Sequence, residues 1–399
     1  MPTRQLKIFK CGKLFLPEPE TARTCILVRD GRVADLLTPR QVLSLTDAEV
    51  VNLTHKVVGP GLVDIHCHGA MNSDFADGTE EDIRRAATGH LARGTTTILA
   101  GVGSCTIQEM LRACDTVRRL KHSTPNLAGV HLEGPYFNSE QYGCHLRSMI
   151  RNPDPQEWKQ LEPYKDVFRL CTIAPELPGA LEYIRHFSRS GTVFSIGHSM
   201  ATYDEICRAV DAGLRHSTHI FCAMPTAQRV NLVLEPGVLE SVLMIDALTT
   251  EIIGDGIHVG PRLVEFVCKI KGILKTAFIS DALRGVGCGP GNYAFGPRNG
   301  QICRIVTEPA VGVVPDRPGI LASSAIVLSD SLRIFSERTA LGLADLWRMA
   351  SATPAAILGL SGQKGSLSPG CDADILALDA HLNVANVFVA GNSVSNFLN

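Results

Sequence analysis

From about residue 58 onward the chain repeats one pattern: a short apolar run, a turn signal, then an amphipathic stretch of helical period. The apolar runs at 61–66, 95–101, 127–133, 167–174, 192–198, 215–221, 249–255 and 275–281 read as strands. Helix signals lie between them. Thr79-Glu80-Glu81-Asp82 opens one helix with carboxylates suited to the positive end of the helix dipole, and Gly94 closes it. Thr202-Tyr203-Asp204-Glu205 and Gly213 frame another in the same way. Eight strands alternating with helices predict an α/β fold, a parallel (β/α)8 TIM-like barrel. The rival, an open doubly wound sheet, would want a G-x-G-x-x-G phosphate cradle after an early strand, and none stands there.

Both chain ends have a different texture. Residues 5 to 57 hold short apolar runs, such as Thr24-Cys25-Ile26-Leu27-Val28, broken by turns such as Asp30-Gly31. Residues 364 to 399 return to it, with Ile375-Leu376-Ala377-Leu378 and Val387-Phe388-Val389-Ala390 before Gly391-Asn392. The expectation is a small β-sandwich domain formed by residues 1–57 and 364–399, around a barrel at 58–363.

Composition narrows the partners. The chain has 399 residues, a formal net charge of -2 and no long basic run, so nucleic acid is not expected. No apolar run approaches a membrane span, and the start lacks the pattern of a signal peptide. Thirteen scattered cysteines without a CxxC pair read as reduced thiols, which points to the cytoplasm.

Strand ends carry the chemistry in such a barrel. Strand one ends in His66-Cys67-His68, where the two-residue repeat turns both imidazoles to one side and Cys67 to the other. Strand three ends at Glu133, strand five at His198, strand six at His219 and strand eight at Asp281, while Asp255-Gly256-Ile257-His258 follows strand seven. Each group alone has a structural explanation; together they predict a metal site. Imidazoles with carboxylates and no thiolate in line suit zinc, iron(II), manganese or cobalt. One or two divalent ions fit, the second if Glu133 bridges: His198 with His219, and His66 with His68. A metal-activated hydroxide would attack an amide carbonyl, with Asp281 moving the proton.

These residues fall in segments that resemble a known family. Gly59-Pro60-Gly61-Leu62-Val63-Asp64-Ile65-His66-Cys67-His68 resembles the opening motif of the amidohydrolase superfamily, and Gly365 to Asp374 its return to the β domain. His131-Leu132-Glu133-Gly134-Pro135-Tyr136, Gly197-His198-Ser199, Ala223-Met224-Pro225 and Ser280-Asp281-Ala282 resemble N-acetylglucosamine-6-phosphate deacetylases. The resemblance implies a metal-dependent homodimer that releases acetate and glucosamine 6-phosphate. It implies Glu133, His198 and His219 as main metal ligands and Asp281 as general acid/base. It places His145 at the sugar or amide carbonyl and His258 near the phosphate; Cys222 and Ala223 count with them as substrate contacts.

Three positions depart from the family. Cys222 stands where an asparagine is usual, Leu321-Ala322-Ser323-Ser324 has a serine where a glycine is usual, and Leu234 stands where an arginine before Glu235-Pro236-Gly237 helps hold the phosphate. Arg229, five residues earlier, is the expected substitute. The segment from Gly285 to Gly300, with its six glycines, reads as a loop, either a lid over the site or a plain solvated loop. The competing functions are an amidohydrolase acting on another N-acyl amino sugar or N-acyl amino acid, and a barrel without catalysis that serves as a binding protein. A cyclic amidase is disfavoured, because strand four, Leu170 to Glu176, ends without the lysine such enzymes use.

Overall fold

The computed structural model describes residues 6–15, 23–45, 47–307, 310–317 and 319–397. Eight parallel strands form the barrel: Leu62–Asp64, Thr95–Val102, Leu127–Glu133, Phe168–Ile173, Val193–Ile196, Leu214–Ser217, Thr250–Ile253 and Thr276–Ile279. Strands one to six pair in chain order, and seven pairs with eight. Two seams close the ring. Ser217 and Ile220 N–H donate to the Thr249 and Glu251 carbonyls, and Asp281 N–H donates to the His66 carbonyl, each at 2.9 Å. The last seam sets the end of strand eight beside the end of strand one, which the site requires.

Local sequence explains the frame. Strand two, Thr95 to Val102, is buried along its whole length, as a parallel strand covered on both faces must be. The helix Glu80–Leu91 has Thr79 as N-cap, accepting from Asp82 N–H, and three acidic residues in its first turn. The helix Tyr203–Ala212 has a Thr202/Glu205 capping box and stops at Gly213, whose φ of 122° suits only glycine. Val63, Leu99, Leu170, Ile253 and Ile279 fill the inside of the barrel. Trp158, Phe168, Tyr183 and Phe187 lie in the layer between barrel and helices. Truncating one such aromatic side chain to alanine costs about 3–5 kcal/mol in a packed core.

Strands from both chain ends interleave in one seven-stranded sheet. Its order is Asn392–Ser393, Val384–Val389, Ile375–Leu378, Glu49–Pro60, Leu6–Leu14, Cys25–Arg29, Arg32–Leu37. Alternate residues serve its two faces: Phe9, Ile26 and Val28 join one apolar cluster, Ile8, Cys25 and Leu27 another. A four-stranded antiparallel sheet follows strand eight, from Gly291–Phe295 through Gln301–Thr307 and Ala310–Val313 to Leu321–Ser324. The glycine-rich 285–300 segment therefore contains a strand, Gly291–Phe295, with loop on either side. Tyr293 pairs with Cys303, and Phe295 packs into the cleft. All thirteen cysteines are free. No helix among the described residues is long and apolar enough to cross a membrane.

Candidate metal-binding active site

Strand ends deliver nearly all of the expected groups to one cleft of about 400 Å³, at the C-terminal mouth of the barrel. Glu133 is its hub. Its Oε1 lies 3.4 Å from His66 Nε2, 3.3 Å from His198 Nε2 and 3.2 Å from His219 Nε2. Its Oε2 lies 3.2 Å from both His68 Nε2 and His145 Nε2. Asp281 completes the ring, with Oδ1 at 3.3 Å from His68 Nε2 and 3.6 Å from His66 Nε2. None of these seven residues is more than 5% exposed. Cys67 faces the other way, with its thiol on the Leu99 carbonyl, as strand alternation requires.

Backbone geometry aims these side chains. His198, His219 and Asp281 have φ of 51°, 23° and 48°, in the left-handed region that costs a non-glycine residue energy. Three strand ends thus share the same strained turn, and strain of this kind concentrates at functional sites. Ser323, also on the cleft, has φ of 54°. That explains the family's usual glycine there.

Hydrogen bonds to the far ring nitrogens fix the tautomers. His198 Nδ1–H donates to the Gln141 carbonyl at 2.6 Å, leaving Nε2 as a lone pair facing Glu133. Burial pushes this imidazole down to about 4, so it is neutral near pH 7. His66 Nδ1 meets Glu251 Oε1 at 2.6 Å, and Glu251 Oε2 lies 3.1 Å from His216 Nε2. His145 is the opposite case. Ser104 N–H donates to its Nδ1 at 3.2 Å, so the ring proton sits on Nε2 and points into the site. His145 is therefore a donor there, not a ligand. Burial raises Glu133, but the imidazoles, His145 and His66 foremost, more than reverse this and hold it well below the usual range. Asp281 is likewise raised by burial, then brought below its ordinary value by the neighbouring His68 and His66 imidazoles.

The residues fit a divalent cation. His66 Nε2 and both His68 nitrogens are buried without a hydrogen-bond partner, although their neighbours are carboxylates. Among the described residues, two of the three sets that gather ligand atoms within 4.8 Å of one another are here: Glu133 with His198 and His219, and His66 with His68 and Asp281. Asp281, expected only as the proton carrier, also joins the second set. Glu133 stands between the two.

At the rim, His258, Cys222 and Ala223 line the cleft. Asp255 holds His258, Oδ2 to Nδ1 at 2.6 Å, and caps the turn through Ile257 and His258 N–H. Arg229, the expected substitute for the phosphate arginine, lies apart from the cleft of its own chain. It sits on an exposed hairpin, Gln228–Val230 with Val233–Glu235, and its guanidinium donates to the Leu232 carbonyl in its own turn. It is absent from this cleft, because the hairpin carries it outward. Three residues escaped the sequence reading. Glu251 was visible as a carboxylate in the middle of the run 249–255, ahead of Asp255 at its end. Phe295, whose ring centroid is 4.6 Å from His68, and Arg317 lie in a segment with no barrel periodicity.

Fold and site together define a metal-dependent hydrolase of the amidohydrolase class, and the sequence profile of the Amidohydrolase family matches residues 298–394. The chain is 30% identical to the N-acetylglucosamine-6-phosphate deacetylase of Lysinibacillus sphaericus, over 92% of each chain. It is also 30% identical to the N-acetylgalactosamine-6-phosphate deacetylase of Escherichia coli O157:H7, over 84% of this chain and 87% of that one. The deacetylase of Mycobacterium smegmatis, solved as an Asp-to-Ala variant with N-acetyl-D-glucosamine-6-phosphate, superposes with a TM-score of 0.87. That match has 29% identity and covers 98% of this chain and 99% of that one. The chain belongs to the N-acetylglucosamine-6-phosphate deacetylase family.

Proposed function

We propose that the protein hydrolyses the acetamide of N-acetylglucosamine 6-phosphate, giving acetate and glucosamine 6-phosphate. The observation that carries this is the Glu133 hub, with imidazole nitrogens converging on it and Asp281 across from it. Glu133, His198 and His219 would hold one divalent ion, and His66 and His68 with Asp281 a second. Such an ion polarises a carbonyl and acidifies water. Asp281, held ionised, takes the proton of the attacking water and passes it to the departing sugar nitrogen as the C–N bond breaks. His145 donates through Nε2–H to the acetyl oxygen, where negative charge develops. His258, Cys222 and Ala223 contact the sugar and its phosphate end, and Phe295 keeps bulk water from the floor.

Zinc is the ion this donor set favours. A homodimer is supported by the resemblance and by the exposed apolar hairpin residues Val230, Leu232, Val233 and Leu234. A cytoplasmic location is supported by the thirteen free thiols. N-acetylgalactosamine 6-phosphate is the second candidate substrate, since a relative named for it is also 30% identical, over a somewhat shorter stretch. The test is acetate and free-amine release from both sugar phosphates by metal-replete protein. Equal release of the two products is expected; release from neither overturns the reading.

A further inference from the structure

The family's phosphate-holding arginine has no counterpart at Leu234, which is 61% exposed on the hairpin. The substrate proposed above is nevertheless anionic at the end opposite its amide. With the amide on the metal-binding floor, the phosphate must be met at the rim. The floor is taken up by the amide and by the residues that would hold the metal.

The structure assigns this task to Arg317, the only lysine or arginine among the described residues that line the cleft. Arg317 lies on a turn between two strands of the sheet that follows the barrel, Ala310–Val313 and Leu321–Ser324. The turn is closed by Arg317 N–H on the Val314 carbonyl and Ile320 N–H on the Arg317 carbonyl, each at 3.1 Å. Its guanidinium lies over the Tyr142 ring, 4.6 Å from the centroid, and Nη2 donates to the Gly143 carbonyl at 2.6 Å. These contacts hold the planar group in place while using one face and one nitrogen. Nε and Nη1 have no acceptor among the described residues. A pre-positioned fork with spare N–H groups suits a phosphate, which guanidinium binds in bidentate fashion. Glu140 also lines the rim, so an anion there needs a fixed cation to offset it. His258 lines the same cleft, with Nδ1 held by Asp255 and Nε2 left to reach a phosphate oxygen. We infer that Arg317, with His258, is the phosphate-recognition element of this chain and sets its preference for phosphorylated sugars.

This inference rests on the proposed deacetylase reading, and one experiment separates their failures. Acetate release from N-acetylglucosamine 6-phosphate and from N-acetylglucosamine is measured for the wild type, Arg317→Ala, Arg317→Lys and Arg229→Ala. The wild type should prefer the phosphorylated sugar. Arg317→Ala should lose on the order of 100-fold in kcat/KM for it, through KM, while kcat and any turnover of the unphosphorylated sugar hold. Arg317→Lys should fall between, keeping the charge but not the fork. Titration with glucosamine 6-phosphate, against glucosamine, should show the same loss of affinity in Arg317→Ala. A preference that survives in Arg317→Ala overturns the inference. So does an equal fall in kcat for both sugars, which would mark a structural role. Collapse in Arg229→Ala alone would move the phosphate contact to the hairpin. A wild type inactive on both sugars would instead overturn the deacetylase reading itself.

Discussion

The floor of the cleft and its rim are built by different means. On the floor, every group but His145, which comes from the loop after strand three, stands at the end of a barrel strand or just past it, and His66 and His198 are each held at Nδ1. His198 is held by the Gln141 carbonyl and faces Glu133; His66 is held by Glu251 and faces both Glu133 and Asp281. At the rim, His258, Cys222 and Ala223 still follow barrel strands, but both arginines come from added strands and the turns between them. Arg229 turns outward with its hairpin, and Arg317 rests on a loop tyrosine. The barrel's hydrogen-bonded ring leaves the floor little freedom, whereas rim loops change length without disturbing it. The chemistry is therefore tied to the frame, and substrate recognition is not.

The most severe way to break this contrast is Glu133→Gln. It removes the hub charge facing five imidazoles, so both ions should be lost and turnover abolished. Metal analysis of the purified variant checks this; full occupancy would remove Glu133 from the ligands. Chelation of the wild type should reproduce the loss, and added zinc should restore activity.

A step smaller is Glu251→Gln, which leaves every ligand in place and weakens the group that orients His66 and accepts from His219 N–H. Metal affinity should fall about 10–100-fold, the usual cost of disturbing a ligand's outer partner. Competition with a chromogenic chelator reads it. Unchanged affinity would mean that strand one alone orients His66.

The smallest effect concerns the rim's fold. Ser323→Gly relieves a left-handed residue, worth roughly 1–2 kcal/mol, and gives back about 0.5–1 kcal/mol in unfolded-chain entropy. A gain of up to about 1.5 kcal/mol in unfolding free energy is expected. A loss would show that the Ser323 side chain makes a compensating contact.

The same contrast decided what the sequence could reveal. All eight barrel strands and the caps at Thr79 and Thr202 were legible, because apolar period and capping chemistry are local signals. His66, His68, Glu133, His198, His219 and Asp281 were legible because a strand's end marks the direction its next side chain takes. Glu251 was passed over because it lies within its strand rather than at the end. Arg317 was not legible: the turn Asp316-Arg317 has no periodicity, and its approach to Tyr142 depends on how a whole antiparallel sheet folds back. The strained φ at Ser323 was signalled only as a departure from a family habit, and its cause needed the backbone.

The division of labour on the floor is tested most directly by Asp281→Asn, assayed for metal content and acetate release together. Asparagine keeps the shape and removes the base. The account predicts that the Glu133, His198 and His219 ion stays bound while turnover falls by roughly 1,000-fold or more. Acetate release at the wild-type rate would contradict it, and proton transfer would then have to be assigned to another group on the floor.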